Sequence, residues 1–202
     1  MSNPDKRERI TGDLCDYQVV HTEDGHQTLY SHYFDENFHS LAGAYDETVH
    51  NYINGCEIVL QAADTECCRI FEVGFGLGIG YQCTVDNLAQ RLSEIQLQKL
   101  DFLFLSVELD PKLIEYATSQ ENLNHKHFLK LNQLIEYQQP VRHYSATIKN
   151  KTIIILIGDA RKTLPSFCLN KNLTFDSIYQ DAFSPKKNPT LWTKQWFQLL
   201  KS

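Results

Sequence analysis

The sequence lacks the long apolar runs that membrane spans and secretory signals require. Its longest aliphatic run is Ile153 to Ile157, far short of the ~20 apolar residues of a transmembrane helix. The opening stretch Met-Ser-Asn-Pro-Asp-Lys-Arg-Glu-Arg is charged and contains no apolar segment typical of a signal peptide. These absences predict a cytoplasmic protein.

Metal-binding and disulfide patterns are also missing. The six cysteines include no CxxC pair, and the eight histidines include no HExxH motif. In the cytoplasm, reduced thiols are the expected state of cysteine. The sequence therefore predicts neither a disulfide framework nor a metal centre.

Charge is distributed unevenly along the 202 residues. The net charge of −6 argues against a protein that simply coats nucleic acid or an anionic membrane. Residues 1–100, however, contain 6 Lys/Arg and 16 Asp/Glu, whereas residues 141–202 contain 10 Lys/Arg and 3 Asp/Glu. The last third is therefore expected to present a basic face. With 42 % hydrophobic residues, the chain can form one globular domain, or a core domain with a small appendage.

Short, polar and aromatic-rich elements precede residue 69. The segments Tyr17 to Val20 and Thr28 to Ser31 predict a β-hairpin with Asp24-Gly25 in its turn. A short helix is predicted from Asp46 to Asn54, ended by Gly55 in a left-handed conformation. We interpret residues 1–68 as an N-terminal appendage and residues 69–202 as the core.

From residue 69 onwards, apolar runs alternate with helical patterns. Four runs have the length of buried strands: Arg69 to Val73, Phe102 to Val107, Thr152 to Ile157 and Phe175 to Tyr179. Helices are predicted from the spacing of Val85, Leu88, Leu92 and Ile95, from Asp110-Pro111 through Ala117, and near Phe128 to Tyr137. This alternation indicates an α/β fold with a Rossmann-like, doubly wound parallel sheet.

A glycine-rich segment, Phe71-Glu-Val-Gly-Phe-Gly-Leu-Gly-Ile-Gly80, follows the first predicted strand. Gly74, Gly76 and Gly78, with Phe75 between the first two, allow a tight turn and close approach of a ligand. Unlike the dinucleotide motif GxGxxG, this pattern places a carboxylate before the glycines. Glu72 would repel a pyrophosphate but can accept a hydrogen bond from the amino group of an amino-acid moiety. A tight turn that binds nothing is the alternative.

Two more carboxylates end the second and third predicted strands. Glu108 occupies the position from which a ribose diol is bound. Asp159, which precedes Ala160, is placed to accept from an exocyclic amine such as that of adenine, although it could instead cap the helix that begins near Arg161. Together the three strand ends describe a site for a nucleoside with an amino-acid tail, and S-adenosylmethionine is the obvious candidate.

The fourth predicted strand ends in Gln180-Asp-Ala-Phe-Ser-Pro-Lys-Lys-Asn-Pro189. Asp181 would lie beside the sulfonium of such a ligand, and Phe183 could form a wall for a flat acceptor group. Pro185 stiffens the loop, and Lys186 and Lys187 add charges that can bind phosphates. A solvated surface loop is the alternative for the lysines.

These segments together resemble one family. Glu72 to Gly78, Val107 to Asp110, Gly158 to Ala160 and above all Asp181-Ala-Phe-Ser-Pro-Lys-Lys-Asn-Pro-Thr-Leu-Trp-Thr193 are similar to the methyltransferase that completes 5-methylaminomethyl-2-thiouridine in tRNA, a class I S-adenosylmethionine-dependent enzyme. The N-terminal segments Asp24 to Tyr30 and His39 to Ile53 resemble its stand-alone form. Other members are fused to a flavin-dependent oxidase.

The resemblance implies transfer of the S-adenosylmethionine methyl group to the amine of 5-aminomethyl(-2-thio)uridine at the wobble position. It implies the tRNA anticodon loop as partner, with a separate flavin-dependent oxidase as a second candidate partner. Asp181 is expected to orient the amine, and Phe183 to stack on the base. Glu47 matches an N-terminal acidic position of the family and is expected to approach the cofactor or the amine; a helix-surface carboxylate is the alternative.

Two other interpretations remain open from the sequence. An aminopropyltransferase has a similar sheet, glycine loop and ribose site, but the two lysines after Asp181 would repel its polyamine substrate. The second is a catalytically inactive cofactor- or RNA-binding fragment, because the chain ends 21 residues after Asp181. A class I methyltransferase continues there with a fifth strand and an antiparallel hairpin. The sheet is therefore predicted to be C-terminally incomplete, with an exposed edge strand.

Overall fold

The computed structural model describes residues 8–119, 126–169, 171 and 173–201. It begins with a small antiparallel sheet whose strands are hydrogen-bonded in chain order: β1 (Arg9–Thr11), β2 (Asp16–His21), β3 (Gln27–Ser31) and β4 (Glu36–Asn37). Tyr17 of β2 pairs with Ser31 of β3, and Gly25 has a φ of 83° in the turn between them. The predicted hairpin is confirmed.

A helical segment follows the small sheet. Helix α1 (Ala44–Thr48) continues into a π-helical turn (Val49–Asn54), and α2 (Ile58–Thr65) comes next. The predicted helix is present, but Gly55 has a helical φ of −63° and Glu57 adopts the left-handed conformation instead. The widened turn carries helical backbone through Gly55, so the chain reverses two residues later than predicted.

A six-stranded sheet forms the centre of the molecule. Its strands are β5 (Cys67–Val73), β6 (Asp101–Glu108), β7 (Ile135–Tyr137), β8 (His143–Ile148), β9 (Lys151–Ile157) and β10 (Ser177–Gln180). Their spatial order is β10-β5-β6-β9-β8-β7; the first four are parallel, and β8 and β7 are antiparallel to their neighbours. This arrangement confirms the Rossmann-like α/β fold and places β10 at one edge.

Helices and short helical turns connect these strands. They are α3 (Ile79–Arg91), α4 (Glu94–Lys99), α5 (Pro111–Ser119), a 3₁₀ turn (Leu131–Gln133), α6 (Ala160–Cys168), a second 3₁₀ turn (Pro189–Trp192) and α7 (Lys194–Lys201). In the part of the chain that the structure describes, no helix has both the length and the apolar character needed to cross a membrane.

Both faces of the central sheet are covered, which explains the continuous apolar runs of its strands. Along β5, Ile70 packs in a cluster with residues of α2 and α3, whereas Phe71 packs on the opposite face with residues of α6 and α7. Ala44 of α1 and Ile58 of α2 are buried in the same cluster as Ile70. The segment before residue 69 therefore contributes directly to the main core.

Two details of the predicted helices are wrong. Ile95 does not continue the buried face of α3, because Ser93 begins a new helix with a capping box, and Ile95 is 67 % exposed. Residues 128–137 do not form a helix but a 3₁₀ turn followed by β7. Pairing with β8 gives β7 backbone hydrogen bonds along one side, and this tertiary contact outweighs the local helical pattern.

Asp110 joins the small sheet to the central sheet. Its Oδ1 accepts a hydrogen bond from the N–H of Lys112 at 3.0 Å, so Asp110 caps α5. The same carboxylate accepts from the N–H of Asp13 at 3.1 Å, the N–H of Leu14 at 2.9 Å and the Tyr17 hydroxyl at 2.9 Å. Because Asp110 is only 1 % exposed, water competes little for these bonds.

We expect Asp110→Ala to destabilise the protein more than the loss of a helix cap alone. The substitution removes the acceptor of three donors in the small-sheet region, and a buried unpaired donor costs about 1–3 kcal/mol. We expect a loss of about 3 kcal/mol in the free energy of unfolding, measured by urea denaturation. Ser93→Ala, which removes the exposed cap of α4, is the matched control and should cost about 1 kcal/mol. Equal losses in the two variants would contradict the anchoring role of Asp110.

Candidate functional site

A cavity of about 420 Å³ lies where the loops after β5, β6, β9 and β10 meet at the carboxyl ends of the parallel strands. Nine of the predicted site residues line it: Gly74, Phe75, Gly76, Glu108, Asp159, Ala160, Asp181, Phe183 and Lys187. The others, Glu47, Glu72, Gly78, Pro185 and Lys186, lie outside its walls. The small sheet and the segment after it close one side with Leu14, Tyr17, Tyr33, Phe34, Phe38 and His39.

The glycine loop lines this cavity with backbone atoms, because Gly74 and Gly76 have no side chains. Gly74 has a φ of 100°, and a Cβ there would lie 2.9 Å from the carbonyl oxygen of Asp181. A larger residue would therefore push the loops after β5 and β10 apart. The N–H of Gly76 donates to Oε2 of Glu108 at 2.8 Å, so the loop is also tied to the end of β6. Gly78 lies at the start of α3, away from the cavity.

Glu72 lies beneath the glycine loop. It is 1 % exposed, it accepts a hydrogen bond from the Ser106 hydroxyl at 2.7 Å, and a methyl group at Gly80 would overlap its Oε1. Burial raises the pKa of Glu72 well above its usual range, and the nearby carboxylates of Asp181 and Glu108 add to this effect. Glu72 therefore supports the loop from below, and its carboxyl is favoured in the neutral form.

Glu108 presents a buried carboxylate to the cavity. Its Oε1 accepts from the N–H of Leu109 at 2.7 Å and of Asp110 at 3.0 Å, and its Oε2 accepts from Gly76. Burial raises the pKa of Glu108, although these backbone N–H groups oppose the shift. The side chain is thus held in one orientation at the cavity wall, where its remaining lone pairs can accept from a ligand.

Asp159 is bound by the residue two positions after it. Its carboxylate caps α6 by accepting from the N–H of Arg161 at 3.0 Å, and it also accepts from the guanidinium at 2.9 and 2.6 Å. The Arg161 guanidinium holds the pKa of Asp159 below its usual range. Asp159 therefore caps α6, as the alternative prediction stated. Asp159 and Ala160 also line the cavity.

Two residues of the N-terminal segment lie next to the carboxylate of Asp181. The Tyr52 hydroxyl lies 3.0 Å from Asp181 Oδ1, and His39 Nε2 lies 3.7 Å from Asp181 Oδ2. Burial, together with the negative charge of Asp181, raises the pKa of Tyr52, so its hydroxyl stays protonated. Thr28 in turn contacts the other ring nitrogen of His39 at 3.1 Å.

Phe183 is already in contact with aromatic residues of the small sheet. Its ring stacks on Phe34 at a centroid distance of 4.2 Å and meets Phe38 in an edge contact at 4.9 Å. Tyr33 makes an edge contact with Phe34 and is 61 % exposed. The aromatic wall of the cavity is therefore built from two distant parts of the sequence.

The polar residues around the cavity mouth make specific contacts. Lys187 Nζ lies 2.7 Å from the carboxylate of Asp35, so the charge of the lysine is partly neutralised. Pro185 and Lys186 are exposed. Glu47 accepts from the N–H of Ser40 at 2.7 Å and does not line the cavity. Within the described residues, no group of three His, Cys, Asp or Glu side chains is arranged to hold a metal ion.

His39, Tyr52 and Phe34 were not predicted as site residues. The first two lie within the segment His39 to Ile53, whose resemblance to the family was the available signal. Phe34 lies outside that segment and carries no such signal. Each reaches the site through contacts across more than 100 residues of sequence, and single-sequence patterns do not show such contacts.

The fold and the cavity are those of a Rossmann-like α/β protein with a ligand site at the carboxyl ends of its parallel strands. Residues 121–202 match a family described as S-adenosyl-L-methionine-dependent methyltransferase, and this match implies the predicted cofactor, S-adenosyl-L-methionine. The crystal structure of MNMC2 from Aquifex aeolicus is similar to the chain, with a TM-score of 0.67 and 27 % sequence identity. The alignment covers 98 % of this chain and 57 % of that one.

Two relatives are similar in sequence over most of the chain. An uncharacterized protein of Methanocaldococcus jannaschii is 28 % identical over 192 residues, which are 94 % of this chain and 48 % of that protein. The tRNA 5-methylaminomethyl-2-thiouridine biosynthesis bifunctional protein MnmC of Delftia acidovorans is 29 % identical over 179 residues, 86 % of this chain and 26 % of that protein. The chain thus spans half or less of these relatives. The matches confirm the predicted resemblance to the 5-methylaminomethyl-2-thiouridine family of methyltransferases.

The buried carboxyl of Glu72 predicts a specific pH dependence of stability. Because its pKa is raised in the fold, there is a pH window above the usual carboxyl range in which the folded state binds one more proton than the unfolded state. The free energy of unfolding should therefore fall as pH rises through that window. In Glu72→Gln this fall should be smaller, because only Glu108 then contributes to it, so the variant should gain stability relative to the wild type as pH rises above ~4.3 in urea denaturation.

Glu23→Gln is the control for this measurement, because Glu23 is an exposed carboxylate far from the cavity. It should keep the pH dependence of the wild type. Parallel stability curves for the wild type and Glu72→Gln would contradict the prediction.

Proposed function

We propose that this protein transfers the methyl group of S-adenosylmethionine to the amine of 5-aminomethyl(-2-thio)uridine at the wobble position of tRNA. The observation that carries the proposal is the position of Asp181, which shares one cavity with Glu108, the glycine loop and an aromatic wall. The description of the matching family supports S-adenosylmethionine as the methyl donor, and the names of the MnmC relatives support tRNA as the substrate.

The residues of the cavity fit an adenosyl cofactor. A volume of about 420 Å³ is within the ~300–1,000 Å³ of small-molecule pockets. Glu108 would hold the ribose hydroxyls, and Gly74 and Gly76 would leave room for the amino-acid end because they lack side chains. Asp159 and Ala160 would contact the adenine. When bound, the cofactor supplies an electrophilic methyl group on a sulfonium.

Asp181 would act on the acceptor. An amine attacks through its unshared electron pair, so an ammonium form must first lose a proton. The Asp181 carboxylate can accept a hydrogen bond from an N–H of the amine and thereby orient that electron pair, and it can pass the released proton to water. Orientation of this kind supplies much of the rate enhancement in a direct group transfer.

The aromatic wall would receive the nucleobase. The anticodon loop is single-stranded, so moving its base into a pocket costs little compared with opening a duplex. The rings of Phe183 and Phe34 are stacked on each other, and the exposed ring of Tyr33 adjoins them at the cavity wall. We propose that the uridine packs against this composite surface rather than against Phe183 alone.

Basic side chains beside the cavity would bind the phosphates of tRNA. Lys162, Lys186 and Lys194 are exposed, and all three belong to the basic last third of the sequence. Lys187 would contribute less, because its ammonium group is paired with Asp35. A tRNA substrate also supports the predicted cytoplasmic location.

A separate flavin-dependent oxidase is part of the proposal as a partner. The relative from Delftia acidovorans is named a bifunctional protein, and this chain matches about a quarter of its length, 26 %. This supports the assignment of the second activity of that relative to a part that residues 1–202 do not match.

Asp181→Ala should abolish methyl transfer without abolishing cofactor binding. We expect the transfer of radiolabelled methyl groups to fall by ~100-fold or more, since the orienting acceptor of the amine is lost. The substrate is tRNA from cells that lack the final methylation. The dissociation constant of S-adenosylmethionine, measured by calorimetry, should change by less than ~3-fold.

Asp176→Ala is the matched control, because Asp176 lies beside the opposite end of β10 and accepts from the N–H of Arg69. It should transfer methyl groups at the wild-type rate. Unchanged turnover in Asp181→Ala would contradict the proposed role of Asp181. Saturable cofactor binding by the unaltered chain with no transfer to tRNA would instead identify a binding protein.

Glu108→Gln should weaken cofactor binding. Gln preserves the shape of the side chain but removes the charge that strengthens hydrogen bonds to ribose hydroxyls, so we expect ~10-fold weaker binding of S-adenosylmethionine by calorimetry. Glu115→Gln, on the exposed side of α5, is the control and should bind as the wild type does. Equal affinity in Glu108→Gln and wild type would place the ribose elsewhere.

A further inference from the structure

We infer that Tyr52 and His39 are positioning residues, which fix Asp181 so that its Oδ2 is the oxygen that accepts from the substrate amine. The inference rests on the proposed function, because it takes Asp181 as the acceptor of the amine hydrogen bond. It goes further by assigning different tasks to the two carboxylate oxygens and by placing both positioning residues in the N-terminal segment.

Tyr52 occupies Oδ1. Its hydroxyl lies 3.0 Å from Asp181 Oδ1 and 3.0 Å from the carbonyl oxygen of Gln180. The single hydroxyl proton favours the carboxylate, since a charge-assisted hydrogen bond is the stronger of the two. The ring cannot move freely, because it stacks on the fully buried Tyr179 at a centroid distance of 4.6 Å. Oδ1 is therefore held by a rigid donor.

The π-helical turn places Tyr52 at this point. The turn spans Val49–Asn54, and Ile53 within it is buried in the main core. Such turns are rare and occur frequently at functional sites. A widened turn changes the direction of the side chains that follow, and here Tyr52 faces the carboxyl end of β10. The π-helical turn thus places the Tyr52 hydroxyl beside Asp181.

His39 faces Oδ2. Thr28 Oγ1 accepts from the backbone N–H of His39 at 3.2 Å, and the same oxygen lies 3.1 Å from Nδ1 of the His39 ring. The buried hydroxyl proton of Thr28 needs an acceptor, and Nδ1 is the acceptor that the described contacts offer it. In the proposed arrangement Thr28 therefore donates to Nδ1, and the neutral imidazole carries its own proton on Nε2. That N–H lies on the side of Asp181 Oδ2.

The separation of His39 Nε2 and Asp181 Oδ2, 3.7 Å, is too long for a direct hydrogen bond. Oδ2 therefore keeps lone pairs for another donor, while the N–H of His39 provides a favourable potential beside the charge. His39 lines the cavity and Tyr52 does not, so Oδ2 is on the cavity side of the carboxylate and Oδ1 on the protein side. An amine that enters the cavity meets Oδ2.

A double-mutant cycle tests the role of Tyr52. Tyr52→Phe should lower kcat for tRNA methylation by ~10-fold or more, with the dissociation constant of S-adenosylmethionine within ~2-fold of the wild type. In an Asp181→Asn background the same substitution should lower kcat by less than ~2-fold, because Tyr52 acts through the carboxylate. Equal losses in both backgrounds, or no loss in the wild-type background, would overturn the assignment.

Tyr45→Phe is the matched control. Tyr45 lies in the preceding helix α1, and its hydroxyl donates to the carboxylate of Asp86 at 3.1 Å, away from the cavity. The control removes the same kind of bond and should leave kcat unchanged in both backgrounds. A loss in Tyr45→Phe as large as that in Tyr52→Phe would show that the effect is a general loosening of the helical segment, and it would also overturn the assignment.

His39 has a test that does not depend on turnover. A long-range ¹H–¹⁵N NMR spectrum of the whole chain, with the His39 signals assigned from a His39→Gln sample, should show the Nε2–H tautomer. Thr28→Val should reduce that preference. The Nδ1–H tautomer in the wild type would overturn the role of His39. Absence of methyl transfer by the wild type would refute the proposed function and leave this spectrum as the separate measure of the geometry.

Discussion

The carboxylate of Asp110, buried at the start of α5, accepts hydrogen bonds from four donors, three of them in the segment that carries the small sheet. These bonds place β2 and the residues before it against the end of β6, next to Glu108. From there the chain runs through residues 33–38, which include the aromatic residues Tyr33, Phe34 and Phe38 of the cavity wall. It then enters the helical segment that contacts Asp181. Asp110 is therefore a main anchor of the second wall of the cavity, together with the contacts of Phe183 and Lys187 to residues 34–38.

Three carboxyl groups that are buried or partly buried lie together at the carboxyl ends of the parallel strands. Glu72, Glu108 and Asp181 lie close enough that the last two raise the proton affinity of the first. A cavity of this kind favours ligands with positive charge, and both a sulfonium and an amine that binds a proton meet that description. Lys186 and Lys187 follow β10 and belong to the basic last third of the sequence, and Lys187 lines the same cavity. Acidic groups at the ends of the central strands and basic groups of the last third therefore meet at one site.

The parallel sheet and the loops at its carboxyl edge could be predicted from the sequence, because apolar runs, glycines and acidic strand ends are local signals. The contacts made across the molecule could not. Residues 128–137 carry a helical pattern but form β7 through pairing with β8, and Lys187 has a phosphate-binding pattern but is paired with Asp35. His39 and Tyr52 carry no chemical motif of their own, and only the fold brings them to the carboxylate of Asp181.

In the proposed reaction, acceptor choice and cofactor binding would depend on different parts of the chain. The glycine loop, Glu108 and Asp159 all follow strands of the central sheet, and many Rossmann-like enzymes bind nucleotides at this position. The groups next to Asp181 and Phe183 come instead from residues 28–52, which lie outside that sheet. Similarity to other Rossmann-like enzymes in the central sheet alone would not indicate which acceptor is bound. Under the proposed function, the N-terminal segment would supply the hydroxyl, the imidazole and the aromatic rings that face the acceptor amine and its base.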